Sequence, residues 1–186
     1  MEIDEETLAR IYSFDLKFTG GKRTKFYRKL FGFESKTKRE DQSGNEKVYE
    51  NFYPGVVTPI PHLRLGKSVL AVPKLAREEL DHFFNNPDWE EIELHSFDGI
   101  LTSDERMKSM KRTLGRIKIG KEKSLDEEIT SLQKLISKNA LEEQDFPRLD
   151  NVVKKCDRLK KYDWTDDKKF SKYLEVIIDS LKEIKK

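Results

Sequence analysis

The sequence predicts an α+β protein in which strands and helices alternate first and helices alone follow. Alternating apolar residues mark strands up to about residue 98, and apolar residues at helical spacing dominate after Gly99. A hydrophobic content of 35%, with 11 Phe, 6 Tyr and 2 Trp, is enough to form a core. The 186 residues suffice for one domain with a helical extension, or for two small domains.

The first strand and the first helix follow from two short patterns. Residues 9–18 form a β-rich run that alternates in part, so we expect a strand there. Residues 23–31 place Phe26 and Leu30 four residues apart on one helical face, with basic side chains outside it. Gly32 then supplies a C-terminal stop for this helix.

A hairpin, a loop and a short strand are expected next. Residues 33–40 and 48–53 are the predicted strands of the hairpin, with Ser43-Gly44-Asn45 as its turn. Residues 54–66 contain three prolines and two glycines, which predicts an ordered loop. Residues 68–72 form a short apolar run typical of a buried strand.

A second helix and a last strand complete this region. Pro73 permits a helix to begin, and Trp89–Phe97 alternates as a half-buried strand does. The order β-α-β(β)-β-α-β matches the ferredoxin-like split βαβ arrangement, with an extra hairpin inserted after the first helix. Two helices are then expected to cover one face of an antiparallel sheet.

The rest of the chain is predicted to be helical. Ser103, Ser124 and Thr165 are placed to cap three helices, and Pro147 to lie in the first turn of another. The capping-box spacing is clearest at Ser124, which Glu127 follows three residues later. The expected divisions are a ferredoxin-like α+β domain in 1–100, a basic helix and linker in 101–124, and a helical bundle in 125–186.

Positive charge is concentrated in two segments, although the net charge is only +2. Residues 17–39 hold nine basic residues and one acid, and residues 106–123 hold eight basic residues and one acid. These segments carry +8 and +7, which leaves −13 for the rest of the chain. Such segregation favours binding of a polyanion, and the alternative is a solvated helix face with Phe26 in the core.

We therefore predict a nucleic-acid-binding protein, for DNA or RNA, that uses two basic segments on an α+β scaffold. Lysine and arginine displace the counterions of the phosphate backbone, and Tyr27 offers a ring on which a base can stack. The predicted contact residues are Lys22, Arg23, Lys25, Tyr27, Arg28, Lys29, Lys108, Lys111, Arg112, Arg116 and Lys118.

Asp15 stands among apolar neighbours of the first strand, where a carboxylate needs solvent, a partner or a metal. A strand with this aspartate in 11–16, a basic helix in 23–32 and a strand in 66–73 follow in order. In these pieces the chain resembles the Cas2-like family of CRISPR adaptation proteins, which have a ferredoxin-like fold. The resemblance implies binding of double-stranded DNA, dimerisation and a metal at Asp15, for which Mg²⁺ is the expected ion. A solvent-facing acid is the alternative.

Two other functions stay open from the sequence. A metal-dependent nuclease would use Asp15, with Glu34 and Glu93 as further ligands. A protein-interaction or assembly factor would pair the apolar stripes of residues 125–186 with a second copy or another protein. The chain has no Walker, Gly-x-Ser-x-Gly or dinucleotide motif, so no catalytic residue is assigned and no cofactor besides Mg²⁺ is expected.

The sulfur and imidazole side chains predict no metal site. Cys156 is the single cysteine and lies on an apolar stripe, so we expect it to be buried and unpaired. His62, His82 and His95 lack ligand spacing and are expected at the surface or at an edge. Without a signal-peptide pattern or an apolar run of membrane length, the expectation is a soluble cytoplasmic protein with no membrane partner.

Overall fold

A four-stranded antiparallel sheet lies between two groups of helices. The computed structural model describes residues 4–40, 46–89, 91–120 and 123–182, so the predicted turn at 43–45 lies outside the described residues. The chain is a mixed α+β protein, as the sequence predicts. Its elements in chain order are β1 (Ala9–Leu16), α1 (Gly20–Phe31), β2 (Phe33–Glu40), β3 (Glu46–Tyr53), β4 (Leu63–Gly66), β5 (Val69–Pro73), α2 (Arg77–Phe84), β6 (Ile92–Gly99), α3 (Ser103–Arg116), β7 (Lys118–Ile119), β8 (Lys123–Ser124), α4 (Leu125–Ser137), α5 (Phe146–Lys160) and α6 (Lys169–Lys182).

The strand order of the main sheet is β4-β5-β1-β6, and each neighbouring pair is antiparallel. Strand β1 is central and pairs along its whole length with β6. Strands β2 and β3 form a separate two-stranded hairpin, and β7 pairs with β8 in a second small ribbon. The inserted hairpin therefore stands outside the main sheet.

Alternation along β1 separates two apolar cores. Tyr12 and Phe14 point to the face that α1 and α2 cover, where Phe26 is fully buried. Ala9 and Ile11 point to the opposite face and join the core formed by helices α3 to α6. Because successive side chains of a strand face opposite sides, one strand serves both cores. The expectation that two helices cover one face of the sheet is confirmed.

Three local predictions were wrong. Residues 63–66 form the edge strand β4, although the prolines and glycines around them predicted a loop throughout. Trp89 ends a 3₁₀ turn and is buried, so the last strand begins later, at Ile92. Helix α3 is capped by Thr102, whose side chain accepts a hydrogen bond from the backbone of Glu105. A β-branched residue one position earlier thus replaces the predicted Ser103 cap.

Other helix boundaries agree with the sequence. Ser124 and Glu127 form the predicted capping box at the start of α4. Pro147 lies in the first turn of α5, and Thr165 accepts a hydrogen bond from the backbone of Phe170 near the start of α6. Helix α3 shares one core with α4, α5 and α6, so packing does not separate residues 101–124 from the helices that follow.

The C-terminal end of α1 is fixed by a close backbone approach. The backbone amides of Val56 and Val57 donate to the carbonyls of Lys29 and Leu30, at 2.9 and 3.0 Å. A Cβ on Gly55 would lie 2.5 Å from the Leu30 carbonyl oxygen and 2.2 Å from the Gly32 nitrogen. Only glycine fits at this contact. It holds the segment that leads to β4 against the end of α1.

Among the described residues, none of the helices has the length and apolarity needed to cross a membrane.

Candidate nucleic-acid interface

Helix α1 directs its basic side chains to three sides. Phe26 and Leu30 face the core, which leaves two flanks and an outer face. On one flank, the ammonium groups of Lys25 and Lys29 each lie 3.3 Å from a carboxylate oxygen of Asp88. Their hydrogen bonds hold the pKa of the Asp88 carboxyl below its ordinary value. Two of the predicted cations are therefore partly neutralised.

Two further cations of α1 contact aromatic rings instead of acids. The guanidinium carbon of Arg28 lies 4.6 Å from the centre of the Phe33 ring. The ammonium of Lys22, closer to the core, lies 4.9 Å from the centre of the Phe18 ring. No carboxylate of the described residues lies within ion-pair distance of either cation.

The other flank of α1 carries a row of one cation and two aromatic rings. Arg23, Tyr27 and Phe31 are spaced by four residues, so they lie one above the other along the helix. The Arg23 guanidinium lies 5.9 Å from the Tyr27 ring centre. The rings of Tyr27 and Phe31 are stacked, with centres 6.2 Å apart and planes inclined by 11°.

Strand β4 extends this row toward helix α3. The guanidinium carbon of Arg64 lies 3.5 Å from the centre of the Phe31 ring, a close cation–π contact. The His62 ring lies 6.0 Å from Phe31 on the same side. Arg116 at the end of α3 contacts His62, with its guanidinium nitrogen 3.1 Å from Nε2. The two basic segments therefore meet through residues of β4 and the segment before it.

His62 has a structural role between these cations. It is 5% exposed, which corrects the expectation of a surface or edge histidine. Burial, followed by the charge of Arg116, lowers the pKa of His62 to about 4. The ring is therefore neutral at pH 7, and the geometry assigns its Nδ1 proton to the Ile60 carbonyl at 2.8 Å. Nε2 is then free to accept from Arg116.

Three arginines accumulate at the end of this row. Burial lowers the pKa of Arg116, and the nearby charges of Arg112 and Arg64 lower it further. Mutual repulsion of like charges is unfavourable unless an anion lies between or beside them. None of the described carboxylates lies within ion-pair distance of Arg64, Arg112 or Arg116. An external anion would relieve this repulsion.

We name this surface the arginine–aromatic ladder. Its members are cationic and ring side chains that lie between one basic segment and the other. They are Arg23, Tyr27, Phe31, Arg64, His62, Arg116 and Arg112.

The remaining predicted residues lie around the ladder or away from it. Lys108 and Lys111 are exposed on α3. Lys118 is half-buried in β7 and, with Glu34 and Glu50, lines a cavity of about 430 Å³ under the hairpin. Tyr27 is half-buried, because its ring packs edge-on against Phe26 and flat against Phe31. Less of the Tyr27 ring is therefore accessible for base stacking than the sequence predicted.

A lysine lies between the carboxylates of Asp15 and Glu93. Asp15 lies opposite Glu93 in the β1–β6 ladder, and the Lys17 ammonium lies 2.6 Å from one carboxylate and 3.1 Å from the other. This ammonium already supplies the positive charge that a divalent ion would bring. Within the described residues, no group of three or more His, Cys, Asp or Glu side chains is suited to a metal. Mg²⁺ at Asp15 stays a prediction that this geometry does not favour.

Three ladder residues were not identified from the sequence. Phe31 was overlooked although it continues the spacing of Arg23 and Tyr27, and that spacing is a usable signal. Arg64 and His62 lie in the proline-rich stretch, where no periodicity is visible. Their contribution depends on the long-range pairing of β4 with β5, which local patterns do not encode.

Comparisons with protein-family models, with curated protein sequences and with solved structures find no match for this chain. The resemblance to the Cas2-like family therefore stays a prediction.

Proposed function

We propose that this protein binds nucleic acid through the arginine–aromatic ladder. The observation that carries the proposal is the meeting of both basic segments at Arg64, with three arginines close together and no described carboxylate paired to them. Arginine presents several N–H donors in a plane that suits phosphate oxygens. The rings between the arginines provide apolar faces for sugars and bases.

We also propose a ferredoxin-like topology for the main sheet. The order β4-β5-β1-β6, with α1 after β1 and α2 after β5, supports it. In this arrangement β4 takes the second place of the split βαβ unit, and the hairpin is an insertion between α1 and β4. The segment after the hairpin packs on the end of α1 through the hydrogen bonds of Val56 and Val57, and Arg64 of β4 lies against the Phe31 ring.

Binding of labelled oligonucleotides, followed by fluorescence anisotropy, tests the proposal. Arg64 and Arg112 are exposed, and the double variant Arg64→Ala/Arg112→Ala removes two ladder charges together with the Arg64–Phe31 contact. Each phosphate contact contributes through counterion release. We expect the dissociation constant at low salt to rise at least about tenfold.

The control variant removes the same charge from another surface. Lys154 on α5 and Lys172 on α6 are exposed and lie outside the ladder. The variant Lys154→Ala/Lys172→Ala should bind within about twofold of the parent protein, because loss of general positive charge alone is a small effect. Equal losses in both double variants, or no complex with the parent protein at low salt, would refute the proposal.

Assembly through the C-terminal helices is a second candidate function. Tyr173 and Val176, one turn apart on α6, are 51% and 72% exposed. Trp164, by contrast, is fully buried and donates a hydrogen bond from its indole nitrogen to Ser109. If the protein self-associates, light scattering should give the mass of a dimer. The variant Val176→Asp should then give the mass of a monomer. A monomer mass for the parent protein at every concentration removes this candidate.

A further inference from the structure

The two faces of the β2–β3 hairpin differ in charge. The strands pair in register from Phe33 opposite Tyr53 to Glu40 opposite Glu46, so alternate residues share a face. One face carries Glu34, Glu40, Glu46 and Glu50, and Lys36 and Lys38 on the same face form ion pairs with two of these acids. The opposite face contains no carboxylate and begins with the Phe33–Tyr53 pair.

This carboxylate-free face continues onto the outer face of α1. The rings of Phe33 and Tyr53 are stacked with centres 4.7 Å apart and planes inclined by 12°. Arg28 lies 4.6 Å from the Phe33 ring. Tyr53 is 49% exposed, so part of its ring remains open to a further planar group.

A groove of about 460 Å³ lies between the hairpin base and α1, and its size is typical of a small-molecule site. Its lining combines two aromatic rings with three cations and contains no carboxylate. The lining residues are Gly21, Thr24, Lys25, Arg28, Lys29, Phe33, Tyr53 and Pro54. Asp88 is not part of this lining. It lies 3.3 Å from Lys25 and from Lys29, in exposed pairs that contribute little.

We infer that this groove binds an unpaired base on Tyr53, with the adjoining phosphates on Arg28 and Lys25, and that the preferred ligand is single-stranded nucleic acid. In a duplex both faces of each base are covered by neighbouring bases, so a duplex offers no base face to Tyr53. Aromatic rings beside a cationic track are the usual arrangement for single strands. This inference rests on the proposed function, since the strand continues from the groove to the ladder on the same helix.

The test compares a labelled oligothymidylate with a duplex of equal length. Stacking on one ring predicts that Tyr53→Ala weakens single-strand binding by about five- to 150-fold. The same substitution should leave duplex binding within about twofold. Tyr53→Phe, which keeps the ring, should bind as the parent does, and Tyr173→Ala removes an equally exposed tyrosine from α6 as the matched control.

Photocrosslinking provides a readout that does not depend on the stability of a variant. An oligonucleotide carrying 4-thiouridine, irradiated with the parent protein, should attach to Tyr53 or its neighbours in the groove. A crosslink confined to other surfaces, unchanged single-strand affinity in Tyr53→Ala, or tighter binding of duplex than of single strand by the parent would overturn the inference.

The outcomes separate this inference from the function on which it rests. If Arg64→Ala/Arg112→Ala weakens binding but Tyr53→Ala does not and no crosslink reaches the groove, the ladder stands and the single-strand inference fails. If the parent protein binds neither oligonucleotide at low salt, both fail.

Discussion

The guanidinium carbon of Arg64 lies 3.5 Å above the centre of the Phe31 ring. This contact joins the edge strand β4 to the last residue of α1, across 33 positions of the chain that include the whole β2–β3 hairpin. Arg64 belongs to neither of the predicted basic segments, and this contact places its charge between the two segments. The proposed binding surface depends on this contact, because Arg23 and Arg116 belong to helices α1 and α3, which pack on opposite faces of the sheet.

Acid should destabilise the protein through His62. Burial, and then the Arg116 charge, lowers the His62 pKa to about 4, whereas an unfolded histidine titrates near 6.5. The stabilising contribution of the neutral ring is complete above about pH 6.5 and is lost as the pH falls toward about 4. Between about pH 7.5 and pH 5 we expect a loss of about 2 kcal/mol in unfolding free energy, measured by urea titration.

The variant His62→Asn separates this effect from the titration of carboxylates. It cannot take up a proton, so its stability should fall by about 2 kcal/mol less than that of the parent over the same pH interval. Identical pH profiles for the two proteins would show that His62 does not titrate as its surroundings imply.

Two Gly→Ala substitutions should have opposite effects. At Gly55 the new Cβ would lie within 2.6 Å of backbone atoms of Leu30 and Gly32, so we expect a loss of about 3 kcal/mol or more. At Gly115 in α3 no heavy atom lies within 4 Å of the new Cβ, and alanine is the better helix former. We expect Gly115→Ala to gain about 0.5 kcal/mol in chemical denaturation. A small loss of unfolding free energy in Gly55→Ala would contradict the close backbone approach at the end of α1.

Arg106 should matter for stability and not for binding, although it belongs to the second basic segment. It is 6% exposed, lies 2.6 Å from a carboxylate oxygen of Asp166 and donates to the Thr7 carbonyl. Only Arg106 is buried, since the Asp166 side chain is 39% exposed. Arg106→Ala removes the donor to the Thr7 carbonyl and the packing of a buried side chain, so we expect a loss of about 2 kcal/mol. Lys108→Ala on the exposed side of α3 should change the unfolding free energy by less than about 0.5 kcal/mol.

The Cys156 thiol should be unreactive in the folded protein. It is fully buried in the helical core, and burial raises its pKa to about 12. Since the thiolate is the reactive form, a thiol reagent at pH 8 should label the protein only after denaturant is added. Rapid labelling of one thiol under native conditions would show that α5 opens readily.

The sequence predicted most of the secondary structure because local patterns determine it. Phe26 and Leu30 in α1, and the Ser124 capping box at the start of α4, agree with the structure. The sequence also predicted two helices on one face of the sheet, but not the second core that helices α3 to α6 form on the other face. The features that were predicted involve neighbours in sequence, where spacing carries the information.

The site was only partly predictable. The sequence alone shows the two basic segments and places Tyr27 between cations. It does not show where the two segments meet in the folded protein. Arg64 becomes important through the pairing of β4 with β5 and through the Gly55 contact, both of which are tertiary. The exposed ion pairs of Lys25 and Lys29 depend on Asp88, which is distant in sequence, so local patterns do not predict them.

The salt dependence of nucleic-acid binding tests the central claim most directly. The observed association constant of the parent protein should fall linearly with salt on logarithmic axes, because bound phosphates release counterions. In Arg64→Ala/Arg112→Ala the slope should be smaller by about 1.5, equivalent to two lost phosphate contacts, and in Lys154→Ala/Lys172→Ala it should match that of the parent. A slope unchanged by the ladder substitutions, or changed equally by the control, would show that Arg64 and Arg112 do not lie against the phosphate backbone.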